Sequence, residues 1–278
     1  MEAETVKKTR SSNFTRIISA LIGFPLVVLI LVIGNKHVIS VGLALIALLS
    51  MNEYLNAVSK KAKPIRWVSY VSCALISLLG LIPVGLYANV ILAAIPIILL
   101  LLFLQVIVTE MKTNFNDLVY TFVGIIYIAF CVGSMAMIRN LENGKILIWY
   151  IFWAGWATDV FAYSIGRRFG KHKFSKVSPK KSIEGCIAGT IGAIIVALIY
   201  TYFINLYSSV QYSYINISII SLILSLVGQI GDFAASTIKR YVEIKDYSNL
   251  IPGHGGMLDR IDSIMFIAPF AYVLLNLL

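Results

Sequence analysis

The 278-residue chain is 59% hydrophobic and 13% charged, with a mean hydropathy of +0.87, which leaves too little polar surface to cover a soluble globule. Disordered, collagenous, disulfide-stapled and soluble-enzyme classes are excluded, and continuous apolar runs without period-two alternation argue against a transmembrane β-barrel. The formal charge of +10 reads as membrane topology, with no nucleic-acid partner expected.

A bilayer crossing needs about 20 apolar residues. The apolar runs predict an all-α polytopic membrane protein with about nine transmembrane helices, near 17–34, 38–57, 67–86, 89–109, 117–138, 145–166, 183–206, 214–236 and 260–278. Pro25, Pro83, Pro96 and Pro269 fall inside these runs, where neighbouring helices can satisfy the freed carbonyls at the cost of a kink. Cys73, Cys131 and Cys186 show no CxxC pairing and read as small buried hydrophobes.

Of the 23 lysines and arginines, all but Lys36, Arg139 and Lys145 fall on one side of this scheme. The positive-inside rule then places the N-terminus in the cytoplasm and, with an odd span count, the C-terminus outside. The basic cluster from Lys7 to Arg16 precedes a long apolar run without a small-residue cleavage site, so a retained first helix is expected. Spans one to five (1–138) form an N-terminal membrane unit. Spans six to nine (139–278), with cytoplasmic loops 167–182 and 237–259, carry the polar chemistry.

Intramembrane carboxylates are functional candidates because an unpartnered charge in lipid is costly. Asp159 lies eight positions before Arg167, about 12 Å below the end of span six at 1.5 Å per residue. Asp232 occupies a similar depth in span eight. Asp259 and Asp262 share one face at the start of span nine. The bland alternative is that each acid pairs with a nearby cation, Asp259 with Lys239 for instance. Glu53 and Glu110 read as solvated or paired boundary residues.

The eighth loop is denser. Ser236, Lys239 and Arg240 lead to Lys245-Asp246, then to Pro252-Gly253-His254-Gly255-Gly256, then to Asp259-Arg260-Ile261-Asp262. Glycines let backbone amides approach an anion, cations neutralise phosphate oxygens, and carboxylates ligate a hard cation. His254 has no second histidine or cysteine beside it and reads as a hydrogen-bonding group. In the sixth loop, Ser182 is placed to cap span seven beside Lys180 and Lys181, an anion-favouring arrangement. Glu184 could satisfy the helix dipole or orient one of those lysines.

The stretch from Ser236 to Asp262 resembles the phosphatidate cytidylyltransferase (CDP-diacylglycerol synthase) family pattern, with every defining position filled. A second patch is similar to the family's upstream pattern: Asp159, Ala162-Tyr163, Gly166, Gly170, then Ser178 through Pro179, Lys180, Lys181 and Ser182 to Glu184 and Gly185. Ser182 stands where threonine is commoner, and Ala188 precedes Gly189 where a glycine pair is common. The match covers roughly the C-terminal half.

The resemblance implies a dimeric integral membrane enzyme of the inner (plasma) membrane, facing the cytoplasm, that converts CTP and phosphatidate to CDP-diacylglycerol and pyrophosphate with Mg²⁺. On that basis Asp232 and Asp259, with Asp262 in support, are expected to hold one or two metal ions. Lys239, Arg240, Lys245 and Arg260 would neutralise phosphates, with Asp246 and His254 in the same catalytic set. Asp159, Ser178, Lys180, Lys181, Glu184, Ser236 and Gly253, Gly255 and Gly256 would bind substrate. The rival readings are a cytidylyltransferase for an isoprenoid ether phosphate, a transporter with buried acids, and a lipid-binding scaffold. The transporter lacks a charged path to the other face, and the scaffold leaves the aspartate and glycine spacing unexplained.

Overall fold

The computed structural model describes residues 21, 23, 25–173, 175 and 177–278. The start of the first expected span, the cluster from Lys7 to Arg16, and Lys176 lie outside the described residues. A helical stretch over 25–33 leads into α1 (Lys36–Val58), α2 (Arg66–Ser77), α3 (Tyr87–Val108), α4 (Phe115–Gly124), α5 (Cys131–Arg139), α6 (Gly144–Phe169), α7 (Ile183–Tyr207), α8 (Tyr214–Tyr241) and α9 (Leu258–Leu275). Among the described residues there are no strands, only isolated bridges at Lys173 with Ser182 and Ile251 with Gly255.

Side chains start several of these helices. Asn35 accepts the Val38 amide at 2.9 Å, and Asn114 and Asp117 form a reciprocal capping box at α4. Ser182 accepts the Gly185 amide at 3.2 Å and so caps α7, as expected. Among the described residues, six helices can cross a bilayer by length and composition: Lys36–Val58, Val84–Val108, Phe115–Arg139, Gly144–Phe169, Ile183–Tyr207 and Tyr214–Tyr241.

The third expected span, 67–86, is interrupted. α2 tightens into a 3₁₀ turn at Leu78–Leu81, and Pro83, extended at φ −61°, ψ 142°, breaks the run before Val84. Pro96 and Pro269 are carried within α3 and α9. α9 has three charges, Asp259, Arg260 and Asp262, in its first five positions.

α4 and α5 are joined by a π turn, Ile125–Phe130, so Phe115 to Arg139 runs as one rod with a local bulge. Small and polar residues bring α6, α7 and α8 together. A Cβ at Gly185 would meet the Ala162 carbonyl at 2.8 Å, and one at Gly189 the Thr158 carbonyl at 2.8 Å, so α6 and α7 approach backbone to backbone. Thr158 and Ser225 hydroxyls bond at 2.7 Å, and Gln229 Nε2 donates to Thr190 Oγ1 at 3.0 Å. Such interhelical bonds satisfy polar groups that lipid cannot. α9 is shared between two apolar clusters. Met265 packs with residues of α1 to α5, while Ile264 and Ile267 pack with residues of α6 to α8.

Candidate active site

The close approach of α8 and α9 sets the site. A Cβ at Gly231 would lie 2.6 Å from Phe266 Cβ and 3.0 Å from the Asp262 carbonyl, so glycine there lets the two helices touch and brings Asp232 beside Asp262. Asp159, from α6, is within electrostatic reach of Lys181, Asp232 and Arg260, and Asp262 within reach of Asp232, Lys239 and Asp159. Three carboxylates and three cations from four separate segments therefore gather in one region. Their exposure is graded: Asp159 is exposed, the Asp232 side chain is 27% exposed, and Asp262 is 7% exposed.

Lys181 makes an ion pair with Asp232 and lies 4.6 Å above the Phe233 ring, a cation–π contact that fixes the ammonium. Asp262 Oδ1 accepts the Ser263 amide at 2.8 Å. Tyr127, in the π turn, is buried, and its hydroxyl makes no hydrogen bond among the described residues. It is in electrostatic reach of Asp262 and Asp232. Nothing in the sequence singled it out, because a π turn leaves no periodic trace in an apolar run.

Asp259 stands apart in its bonding. Its side chain is 2% exposed, Oδ1 accepts Lys239 Nζ at 2.7 Å, and Oδ2 accepts the amides of Tyr247 at 2.8 Å and Gly256 at 3.1 Å. Lys239 also lies 5.4 Å over the Tyr247 ring. Burial raises the Tyr247 phenol above its ordinary range, and the carboxylates of Asp262 and Asp259 add to the effect. The Asp259–Lys239 pairing is the bland alternative considered above, and it turns this aspartate into the anchor of the glycine loop.

Of the two expectations for Glu53, solvated or paired, the second holds. It is buried, and its carboxylate accepts the Met257 amide at 2.9 Å, the Leu258 amide at 2.8 Å and the Ser248 hydroxyl at 2.6 Å, partners the sequence did not name. α9 has no side-chain cap of its own at Met257, so a glutamate from α1 satisfies the orphan amides of its first turn. A capping partner two hundred positions away leaves no local pattern to find. Glu110, by contrast, is exposed at φ +49°, as a boundary residue should be.

Gly253 and Gly255 adopt φ of +76° and +84°, which side-chain-bearing residues rarely tolerate, and a Cβ on Gly256 would lie 2.5 Å from the Glu53 carboxylate. Ile251 and Gly255 close the loop with an amide-to-carbonyl bond of 2.8 Å, and the His254 amide donates to Ile251 at 2.9 Å. Ser236 is half-buried on α8. Lys245, Asp246 and Arg260 are exposed at the rim.

The sixth loop packs against the same end. Arg240 Nε donates to the Val177 carbonyl at 3.5 Å, the Lys181 amide donates to the Ser178 carbonyl at 3.1 Å, and Lys173 Nζ donates to the carbonyl of exposed Lys180 at 3.1 Å. Glu184 orients neither lysine. It meets His172 Nδ1 at 2.6 Å and accepts the His172 amide at 3.2 Å, pinning the loop to the start of α7.

Among the described residues, no three histidine, cysteine or acidic side chains are grouped closely enough to hold a metal ion by themselves. Mg²⁺ is commonly bound by one or two carboxylates plus waters and substrate oxygens rather than by an all-protein cage. Asp232 and Asp262 offer that chemistry, whereas both oxygens of Asp259 are taken by protein donors.

The helices thus gather acids, lysines and a glycine loop at one end. The description "Cytidylyltransferase family" fits residues 14–278, and the chain belongs to that family. It is 39% identical over 182 residues to the phosphatidate cytidylyltransferase of Bacillus subtilis (strain 168), an alignment covering 65% of this chain and 66% of the relative. To the enzyme of the same name from Staphylococcus haemolyticus (strain JCSC1435) it is 30% identical over 264 residues, 95% of this chain and 97% of that one. The Staphylococcus aureus (strain COL) protein of that name is 37% identical over 170 residues, 61% of this chain and 63% of the relative.

Proposed function

We propose that this protein transfers the cytidylyl group of CTP to phosphatidate, giving CDP-diacylglycerol and pyrophosphate. The observation that carries the reading is the convergence of Asp159, Asp232 and Asp262 with Lys181, Lys239 and Arg260 at one end of the bundle. The relatives' shared name supplies the acceptor.

A phosphate monoester has a second pKa near 6, so phosphatidate is largely dianionic at neutral pH and attacks without a general base. Its oxygen forms the new bond to the α-phosphorus of CTP as the bond to the β-phosphate bridging oxygen breaks, and pyrophosphate leaves. The difficulty is bringing anions together. Lys181, Lys239 and Arg260 are placed to offset that repulsion, with Arg240 and Lys245 behind them. Glu53 and Asp259 keep the Gly253–Gly256 turn in place beside Lys239. Asp232 and Asp262 would hold Mg²⁺, which would supply charge stabilisation for the leaving pyrophosphate.

The reading also holds that the chain crosses the inner membrane nine times, with the N-terminus and the site on the cytoplasmic side. CTP then arrives from the cytoplasm and phosphatidate from the inner leaflet. The C-terminal half, 139–278, carries the chemistry, and the enzyme works as a homodimer in the lipid.

The test is pyrophosphate release by the purified full chain in detergent, given CTP with phosphatidate or an isoprenoid ether phosphate, with and without EDTA. Release that requires phosphatidate and stops with EDTA is expected. No release with phosphatidate in the presence of Mg²⁺ overturns the assignment.

A further inference from the structure

The far end of the bundle holds a second polar constellation that the cytidylyl chemistry does not use. Arg139, the last residue of α5, is 9% exposed. Its Nη2 donates to the Gly34 carbonyl at 3.0 Å, and its Nε is buried without an acceptor. Among the described residues no carboxylate lies within 4.0 Å of it, and neighbouring Glu142 is exposed. A guanidinium taken out of water without a counter-charge calls for an anion.

A cavity of about 500 Å³ opens beside it, lined by Arg139, Leu141, Asn143, Gly144, Lys145 and Ile146. The cavity sits at the N-terminus of α6, whose preceding residue Asn143 adopts φ +56° and contributes no side-chain cap. Helix N-termini favour anions, and here the buried guanidinium supplies independent evidence for one. Lys145 lies fourteen residues before Asp159 on the same helix, so about 21 Å separates this cavity from the acids and places it at the opposite membrane face. Arg139 and Lys145, two of the three cations that the sequence sets apart from the others, both line it.

We propose that this cavity binds a phosphate anion, presented by the headgroup of an anionic lipid in the leaflet opposite the acidic site. Its walls mix cationic and apolar side chains, which matches a phosphodiester carried on acyl chains. The guanidinium fork suits two phosphate oxygens, and Lys145 adds a point charge at the rim.

The test uses the full chain in detergent, titrated with dihexanoyl phosphatidylglycerol, dihexanoyl phosphatidylcholine or inorganic phosphate. Binding is read by native mass spectrometry and by the ligand-dependent rise in Tm. Phosphatidylglycerol should bind in preference to phosphatidylcholine, Arg139→Gln should weaken it about tenfold, and Lys145→Gln about threefold. Inorganic phosphate binding as tightly, with the same sensitivity to both substitutions, would retain the anion site and overturn the lipid as its source. Lys145 is exposed and its replacement leaves the Gly34 contact intact, so that variant decides the matter if Arg139→Gln does not fold. Phosphatidylglycerol affinity equal to wild type in Lys145→Gln and in any folded Arg139→Gln protein overturns the proposal.

Discussion

Glu53 Oε2 accepts the amide of Leu258 at 2.8 Å, across 205 positions of chain. The bond ties the N-terminal helices to the first turn of α9, the helix that carries Asp259, Arg260 and Asp262. A carboxylate at a helix N-terminus satisfies amides that have no intrahelical partner and favours the helix dipole.

Glu53→Ala should therefore leave the Met257 and Leu258 amides buried and unsatisfied, at a cost of about 1–3 kcal/mol each before relaxation. Thermal unfolding in detergent should show a lowered Tm, and pyrophosphate release should fall with it. An unchanged Tm would show that the carboxylate does not hold the loop.

Asp262→Asn and Asp259→Asn should differ in kind. Asp262 is a buried acid among other acids, so its neutralisation should lower turnover by about 10²-fold while leaving Tm level or raised. Asp259→Asn weakens the bond to Lys239 and the grip on the Tyr247 and Gly256 amides, so Tm should fall together with turnover. Parallel unfolding and turnover measurements separate the two.

Gly256→Ala places a methyl group 2.5 Å from the Glu53 carboxylate. Backbone movement or loss of the cap must follow, and a destabilisation of about 1–3 kcal/mol is expected from overpacking. Combining it with Glu53→Ala should cost less than the sum of the two, because both act on one contact; unfolding of the double variant measures that coupling.

Tyr127→Phe removes a buried hydroxyl that bonds to nothing among the described residues. Stability should be unchanged or improved, since a polar atom without a partner contributes only its desolvation cost. A clear fall in Tm would reveal a hydrogen bond made in solution.

Lys61 donates to Glu243 at 2.9 Å on the exposed rim, and this bond holds the Glu243 carboxyl below the usual carboxylate range. A carboxyl whose pKa is depressed on folding adds stability above its unfolded value and loses it as pH falls through the folded one. The Tm difference between wild type and Glu243→Gln should thus be small, present at neutral pH, reduced by salt, and gone in strong acid.

Much of this was legible in the residues. Hydropathy alone placed α3 through α8 to within a few positions, because a membrane helix must satisfy its own backbone bonds and therefore announces itself as a long apolar run. The spacing from Ser236 to Asp262 announced the family, and Ser182 announced a cap. Pro83 ends the run of α2 by a local break, within the 67–86 stretch. Glu53, a solvated or paired boundary residue by its sequence position, turned inward to cap a helix two hundred positions away, a contact between distant segments that no local pattern records. The convergence of Asp159, Asp232 and Asp262, the diversion of Asp259 to Lys239 and the loop amides, and the isolation of Arg139 were decided only by tertiary structure. Local pattern records which face or period a residue belongs to, whereas the partner of a buried charge is chosen by whichever donor the packed helices bring within reach.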